Sequence, residues 1–123
     1  MNMNAIRYIE PAALHDEMLR LRQEEQMDFL ECLTGMDWGE PDTAKDTPDT
    51  SRGLGVVYQL ESTVTGKRVA VRTATLDREH PELPSVCDIW KAADFLEREV
   101  FDFYGVVFIG HPDMRRLYLA MTG

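Results

Sequence analysis

The side chains best suited to chemistry lie together in one stretch of the chain, residues 97–116. Within it, Glu99, Asp102 and His111 are of the types that act as general acids and bases, and with His80 they are of the types that ligate metals. Their spacing matches no metal-binding motif, and no HExxH sequence is present. A stand-alone acid–base or metal-dependent hydrolase is therefore the less favoured interpretation, and it requires a concave pocket lined by these side chains.

The same stretch has the spacing of a charged helix face. Arg98 follows Asp94 by four residues and precedes Asp102 by four, and each pair can form an intrahelical ion pair worth a few tenths of a kcal/mol when exposed. An apolar stripe runs beside these charges and consists of Leu96, Val100 and Phe103. We expect this stripe to pack inward and the charges to face outward.

The predicted helix is followed by a defined exit. Gly105 is well placed to end the helix in the left-handed conformation, and residues 106–109 form a short β-like run. A rigid turn and then a basic pair come next, at Gly110, His111, Pro112, Arg115 and Arg116. We expect the histidine to lock the turn through a hydrogen bond, and the two arginines to offer forked donors to carboxylates or carbonyls.

The elements that must position this stretch are two strands and a leading helix. Leu54–Glu61 and Arg68–Thr75 are rich in Val, Tyr and Thr, as half-buried strands are, and residues 62–67 are expected to join them as a hairpin loop. Residues 27–38 fit either a short strand or a helical turn. Residues 39–53, rich in Pro, Asp and Thr, predict an exposed, mobile loop.

Two helices are predicted from apolar spacing. The first opens at Pro11 and has an inward stripe formed by Leu14, Met18 and Leu21. The second begins at Ser85, where Asp88 three residues later fits a capping box, and runs to about Tyr104 with a possible break near Trp90. These elements predict one α+β domain over residues 1–123, in which helices cover a small, mainly antiparallel sheet in two layers.

Composition narrows the classes of partner. A net charge of −9 repels nucleic-acid phosphates and anionic lipid headgroups, so neither is expected as a direct ligand. No apolar run approaches the roughly 18 residues of a membrane span, and no signal peptide is apparent, so a cytoplasmic location is expected. Cys32 and Cys87 are isolated from each other, cannot hold an iron–sulfur cluster or zinc alone, and are expected to be buried thiols.

The residues in the second half of the chain resemble the C subunit of respiratory complex I, the 30-kDa-type subunit of NADH:quinone oxidoreductase. The family's pattern is matched in order by Leu83-Pro84-Ser85-Val86, Ala92-Ala93, Glu97-Arg98-Glu99, Asp102, Gly105, Gly110-His111-Pro112-Asp113 and Arg115-Arg116. With weaker blocks upstream, the resemblance spans roughly residues 12–118. Asp94 and Phe95 stand where the family usually has Asn and Trp, and the Gly-x-Pro-Leu-Arg-Lys-Asp-Phe tail of many relatives does not follow Arg116.

The resemblance implies a non-catalytic structural subunit of the hydrophilic arm that docks on the quinone-site subunits, with subunits of the D, B and I types as partners. It implies no cofactor or metal in this chain, flavin and iron–sulfur clusters in the partners, and an indirect, peripheral association with the cytoplasmic face of the inner membrane. The residues to which it assigns a partner-binding or signature role are Glu97, Arg98, Glu99, Asp102, Gly105, Gly110, His111, Pro112, Arg115 and Arg116.

Two alternatives stay open at this stage. The charged residues of the signature could pair only among themselves and stabilise the helix and its turn. The parent assembly could also be a membrane-bound hydrogenase or a ferredoxin-linked complex, whose small subunits look similar, and nothing in the sequence separates these from a quinone-reducing complex.

Overall fold

A computed structural model describes residues 6–42, 44, 46–47 and 50–114 of the chain. The elements along this part follow in the order β1 Ile6–Tyr8, α1 Pro11–Glu24, β2 Phe29–Asp37, β3 Leu54–Glu61, β4 Arg68–Thr75, β5 Glu82–Pro84, α2 Ala93–Tyr104 and β6 Val107–Ile109. In the described part, no helix is long and apolar enough to cross a membrane.

The main sheet has four strands in the order β1-β4-β3-β2. β2 and β4 both run antiparallel to β3, whereas β1 runs parallel to β4. A separate pair, β5 and β6, is parallel, with Leu83 opposite Phe108. The α+β class and the mainly antiparallel sheet are therefore confirmed.

The strands predicted with the clearest composition, β3 and β4, have the predicted bounds. The loop between them is closed by Ser62, whose buried hydroxyl accepts the N–H groups of Val64 and Thr65. The ambiguous residues 27–38 contain strand β2, because they complete the sheet edge beside β3. The base of the predicted loop at residues 39–53 is fixed by a 3.0 Å hydrogen bond from the Gly53 N–H to the Gly39 carbonyl.

The core lies between one face of the sheet and the helices. The register places Leu33, Tyr58 and Val71 side by side on this face, and all three are buried. The helical side chains in the same core include Leu14, Met18 and Leu21 of α1 and Ala93 and Val100 of α2. The inward stripe predicted for the first helix is thus confirmed.

The second helix begins later than expected. α2 starts at Ala93 and not at Ser85, and residues 86–92 form turns instead. The predicted capping box is absent, because the Ser85 N–H that it would use donates to the Ile109 carbonyl at 2.8 Å and Asp88 bonds to His15 of α1, also at 2.8 Å. The chain therefore makes a tight corner before the helix, consistent with the predicted break near Trp90.

The expectation of buried thiols is wrong for Cys32. A bulge in β2 lies between Leu30 and Cys32, and Leu33 then points into the core. Since successive side chains of a strand point to opposite faces, Cys32 lies on the side away from the core and is exposed. Cys87 is partly buried and packs against the core, and both cysteines are free thiols.

Candidate docking site

A buried carboxylate, Glu97, holds the corner before α2 against the helix. Its side chain has 0% exposure. The Ser85 hydroxyl donates to Oε1 at 2.6 Å, and the Val86 N–H donates to Oε2 at 2.9 Å. Both carboxylate oxygens therefore cap backbone and hydroxyl donors that the corner would otherwise leave unpaired.

The surroundings of Glu97 favour its neutral form. Burial raises the pKa of Glu97 to about 7, although the hydrogen bonds from Ser85 and Val86 and the nearby His111 act in the opposite direction. Tyr58 is wholly buried, and its hydroxyl has no hydrogen-bond partner among the described residues. Burial raises the pKa of Tyr58 well above its usual value, and the charge of Glu97 adds to this effect.

The Gly-His-Pro turn is locked onto the start of α2 by His111, as predicted. The imidazole has 0% side-chain exposure, with Nε2 lying 2.9 Å from the Asp94 carbonyl and 3.2 Å from its Oδ1. Nδ1 accepts the N–H of Asp113 at 2.9 Å. This acceptor role places the proton on Nε2, where it is donated to Asp94. Both ring nitrogens are therefore engaged within the chain.

The glycines of the signature adopt left-handed conformations. Gly105 ends α2 at φ 77°, with its N–H donating to the Phe101 carbonyl at 2.8 Å, as the sequence predicted. Gly110 has φ 94° at the turn before the exposed Pro112. A side chain is strained at such φ values, so these glycines allow the chain to reverse direction tightly.

Arg98 takes one of its two predicted partners. Its Nε lies 3.3 Å from Oδ1 of Asp94, close enough for an ion pair but without the geometry of a hydrogen bond. Among the described residues, no ion pair joins Arg98 to Asp102. The guanidinium instead leans over the Phe95 ring, 6.0 Å from its centre. The guanidinium of Arg98 is therefore engaged by Asp94 and Phe95, which lie in the first turn of α2.

The prediction that Phe103 packs inward is wrong, since this side chain is 81% exposed. Leu96 and Val100 pack against the core as predicted, and the other α2 side chains in contact with it are Ala93, Glu97 and Tyr104. Tyr104 lies so close to the strand that a Cβ added at Gly35 would be 2.5 Å from its ring. The burial of Glu97 could have been predicted from the helical spacing of residues 93–104 if a carboxylate had been allowed at a core-facing position.

The opposite side of α2 carries aromatic and acidic side chains together. Phe95 is 51% exposed, and it lies with Phe103 on the same side as Glu99 and Asp102, by the helical period. Neither carboxylate has a hydrogen bond or an ion pair with any residue that the structure describes. We refer to these four residues, Phe95, Glu99, Asp102 and Phe103, as the outer face of α2.

The arrangement does not form the metal centre considered from sequence. Within residues 6–114, apart from the gaps named above, no group of three or more His, Cys, Asp or Glu is arranged to hold a metal ion. His111 is committed to Asp94, whereas Glu99 and Asp102 belong to the outer face of α2. The basic pair, Arg115 and Arg116, lies outside the described residues.

Fold and site together define a small α+β domain with a helix–turn unit, residues 85–113, fixed by its own buried polar groups. The sequence profile of the family described as "Respiratory-chain NADH dehydrogenase, 30 Kd subunit" matches residues 7–122. The chain therefore belongs to this family of complex I subunits.

Several curated relatives agree with this assignment. The chain is 75% identical, over 117 residues and 95% of its length, to a Bacteroides fragilis protein named as the C/D subunit of NADH-quinone oxidoreductase. Two relatives named as the C subunit of the same enzyme are each 39% identical, one from Cupriavidus metallidurans over 115 residues and one from Chloroherpeton thalassium over 99 residues. The matches cover 94% and 79% of this chain, respectively.

The chain spans only part of each relative. It covers 22% of the Bacteroides C/D protein, 54% of the Cupriavidus protein and 37% of the Chloroherpeton protein.

Proposed function

We propose that this chain is a non-catalytic structural component of a complex I-type NADH:quinone oxidoreductase, and that it docks on the quinone-site subunits through its helix–turn unit. Family membership supports the parent complex. The name of the Bacteroides relative joins C with D, which favours a D-type partner. We extend the proposal to B- and I-type partners. In this proposal these partners carry the iron–sulfur clusters, and a further subunit carries the flavin. The assembled complex would hold the chain in a peripheral position on the cytoplasmic side of the membrane.

The proposal rests on one observation: the two sides of α2 have different contacts. The buried side is fixed from within, because Glu97 bonds to the corner at residues 85–86 and His111 bonds to Asp94. The outer side has two exposed aromatic rings and two carboxylates that perform no structural task within the described chain. A rigid helix with an unused, partly apolar face fits a docking element.

This division also separates the signature residues by role. Glu97 and His111 have no exposed side-chain surface, so they support docking by holding the unit in shape. Glu99 and Asp102 remain available to contact a partner directly. Of the two roles considered for the signature residues, we assign internal stabilisation to Glu97 and His111 and partner contact to Glu99 and Asp102.

Affinity purification from the native cells tests the proposal. The protein that contains this chain is tagged at its chromosomal locus, extracted from membranes with mild detergent, and its companions are identified by mass spectrometry. We expect D-, B- and I-type subunits together with NADH- or quinone-dependent electron transfer. Recovery with hydrogenase large and small subunits would favour the hydrogenase-type alternative, and recovery of the protein without companions would contradict both.

A further inference from the structure

Resting on the proposed function, we propose that the outer face of α2 is the contact surface itself, and that its occupant is a neighbouring subunit's segment in which Lys or Arg flanks an apolar side chain. The proposal goes beyond subunit membership because it names the surface, the anchoring residue and the chemistry of the partner. Phe103 is the anchor, and Glu99 and Asp102 are the acidic flank.

Phe103 is exposed in a way that suits an anchor. It is the most exposed of the large apolar side chains in the described chain, at 81%, and it lies on a helix whose other face is tightly packed. Its edge rests on the neighbouring Tyr104 ring, with ring centres 4.8 Å apart, so its position is supported from one side. Aromatic side chains are enriched at interfaces and among the residues that contribute most to binding once a partner buries them, so Phe103 suits an anchor.

A groove beside Phe103 gives the partner somewhere to lie. It measures about 360 Å³ and runs between α2 and β2, with Thr34 and Gly35 on the strand side and Glu99 and Phe103 on the helix side. Gly35 is essential to this shape, since the Tyr104 ring occupies the space that a side chain would need. The groove thus combines apolar lining with one carboxylate, that of Glu99.

The negative charge of the outer face of α2 favours a basic partner. Arg98, the cation nearest to these carboxylates along the helix, is already paired with Asp94, so Glu99 and Asp102 are not neutralised from within the described chain. A second copy would bring another net charge of −9, and an anionic membrane would also be repelled. A basic segment of another polypeptide would form ion pairs with Glu99 and Asp102 of the outer face while its apolar side chain covers the Phe103 ring.

Photo-crosslinking in the intact complex tests the surface. p-Benzoylphenylalanine replaces Phe103 in the tagged protein in its own cells, and in a matched strain it replaces Val64, which is 69% exposed in the hairpin loop. After irradiation, crosslinked peptides are identified by mass spectrometry. We expect the probe at Phe103 to join one segment of a neighbouring subunit with Lys or Arg within a few residues of the crosslink. Crosslinks only to another copy, only to lipid, only to a segment without basic residues, or none at all, would overturn the proposal.

Substitutions measure the contribution of each group. Phe103→Ser and Glu99→Lys are expected to lower the amount of assembled complex roughly 30-fold, the size of an interface hot spot. The matched controls, Val64→Ser and Asp16→Lys, change exposed side chains elsewhere and are expected to lower it less than about twofold. A Lys→Glu change in the crosslinked segment should restore assembly of Glu99→Lys.

The outcomes distinguish this inference from the function on which it rests. If the unaltered protein co-purifies with the complex while Phe103→Ser and Glu99→Lys assemble normally, the surface is wrong and the proposed function stands. If the unaltered protein does not co-purify with complex I-type subunits, both fail.

Discussion

At the scale of single residues, buried polar groups fix the helix–turn unit through hydrogen bonds within the chain. Glu97 is a carboxylate placed in an apolar helix stripe, where desolvation is costly, and its two hydrogen bonds are what make the position tolerable. His111 has a comparable role at the other end of the unit, with both ring nitrogens satisfied. These residues therefore define the shape that the exposed residues present.

The pKa of Glu97 makes the stability of the protein depend on pH in a definite direction. The folded-state pKa of about 7 lies above the ordinary value of 4.5, so the folded state binds more protons than the unfolded state between these values. The free energy of unfolding should therefore fall as pH rises from about 4.5 to about 7, by about 3 kcal/mol at most from this group.

Glu97→Gln should remove this dependence, because glutamine keeps an acceptor oxygen but does not ionise. We expect the variant to gain stability relative to the parent above pH 7, as measured by urea unfolding at pH 5 and pH 8. Glu99→Gln, on the exposed side of the same helix, is the control and should leave the slope unchanged. An unaltered slope in Glu97→Gln would show that Glu97 is not the group responsible.

At the scale of elements, the sequence predicts those parts of the fold that local patterns determine. β3, β4, their hairpin and α1 have strong periodicity or composition and were found at their predicted positions. β6 was predicted from its apolar run, whereas β1 and β5 lack such a run and were missed, because they are defined by pairing with distant segments, β4 and β6. The start of α2 was misplaced because Glu97, from inside the helix, captures the donors of Ser85 and Val86.

One residue of the stripe predicted for α2, Phe103, was also misassigned, and this error hid the candidate site. An apolar side chain was expected to point inward, so Phe103 was grouped with Leu96 and Val100. The true stripe includes a carboxylate, and no rule based on hydrophobicity alone would place Glu97 in it. Sequence reasoning singled out this segment but could not tell which of its side chains are buried within the unit and which remain exposed.

The contact between α2 and β2 depends on the absence of a side chain at Gly35. Gly35→Ala should lower the free energy of unfolding by about 1–3 kcal/mol, because the new Cβ would stand 2.5 Å from the Tyr104 ring and force it aside. Thermal and urea unfolding measure the change. The double variant with Tyr104→Leu tests the cause: its loss should be smaller than the sum of the two single losses, and strict additivity would exclude the proposed clash.

The left-handed end of α2 gives a second test at this scale. A Cβ at Gly105 would meet no atom within 4 Å, so the only destabilising effect of Gly105→Ala is the backbone strain of alanine at a φ of 77°. We expect a loss of about 1 kcal/mol in the free energy of unfolding. Gly105→Asn should lose less, since asparagine adopts this conformation more readily. Equal losses for alanine and asparagine would argue against backbone strain as the cause.

At the scale of the whole molecule, a net charge of −9 and exposed aromatic rings suit the domain to contact with a basic protein neighbour. The sheet and α1 provide the base, the corner at residues 85–86 and the turn at residues 110–112 fix α2, and α2 offers its outer face. Family membership places this arrangement among complex I subunits. We therefore expect the outer face of α2 to be covered in the assembled complex.

Hydroxyl-radical footprinting of the purified complex tests this expectation most directly, with Phe29 as an internal reference of the same residue type. In the chain alone Phe103 is 81% exposed and Phe29 45% exposed, so an uncovered outer face would make Phe103 the more heavily oxidised of the two. We predict the reverse order in the intact complex, with Phe103 and Phe95 both protected. Oxidation of Phe103 above that of Phe29 in the intact complex would contradict a covered outer face.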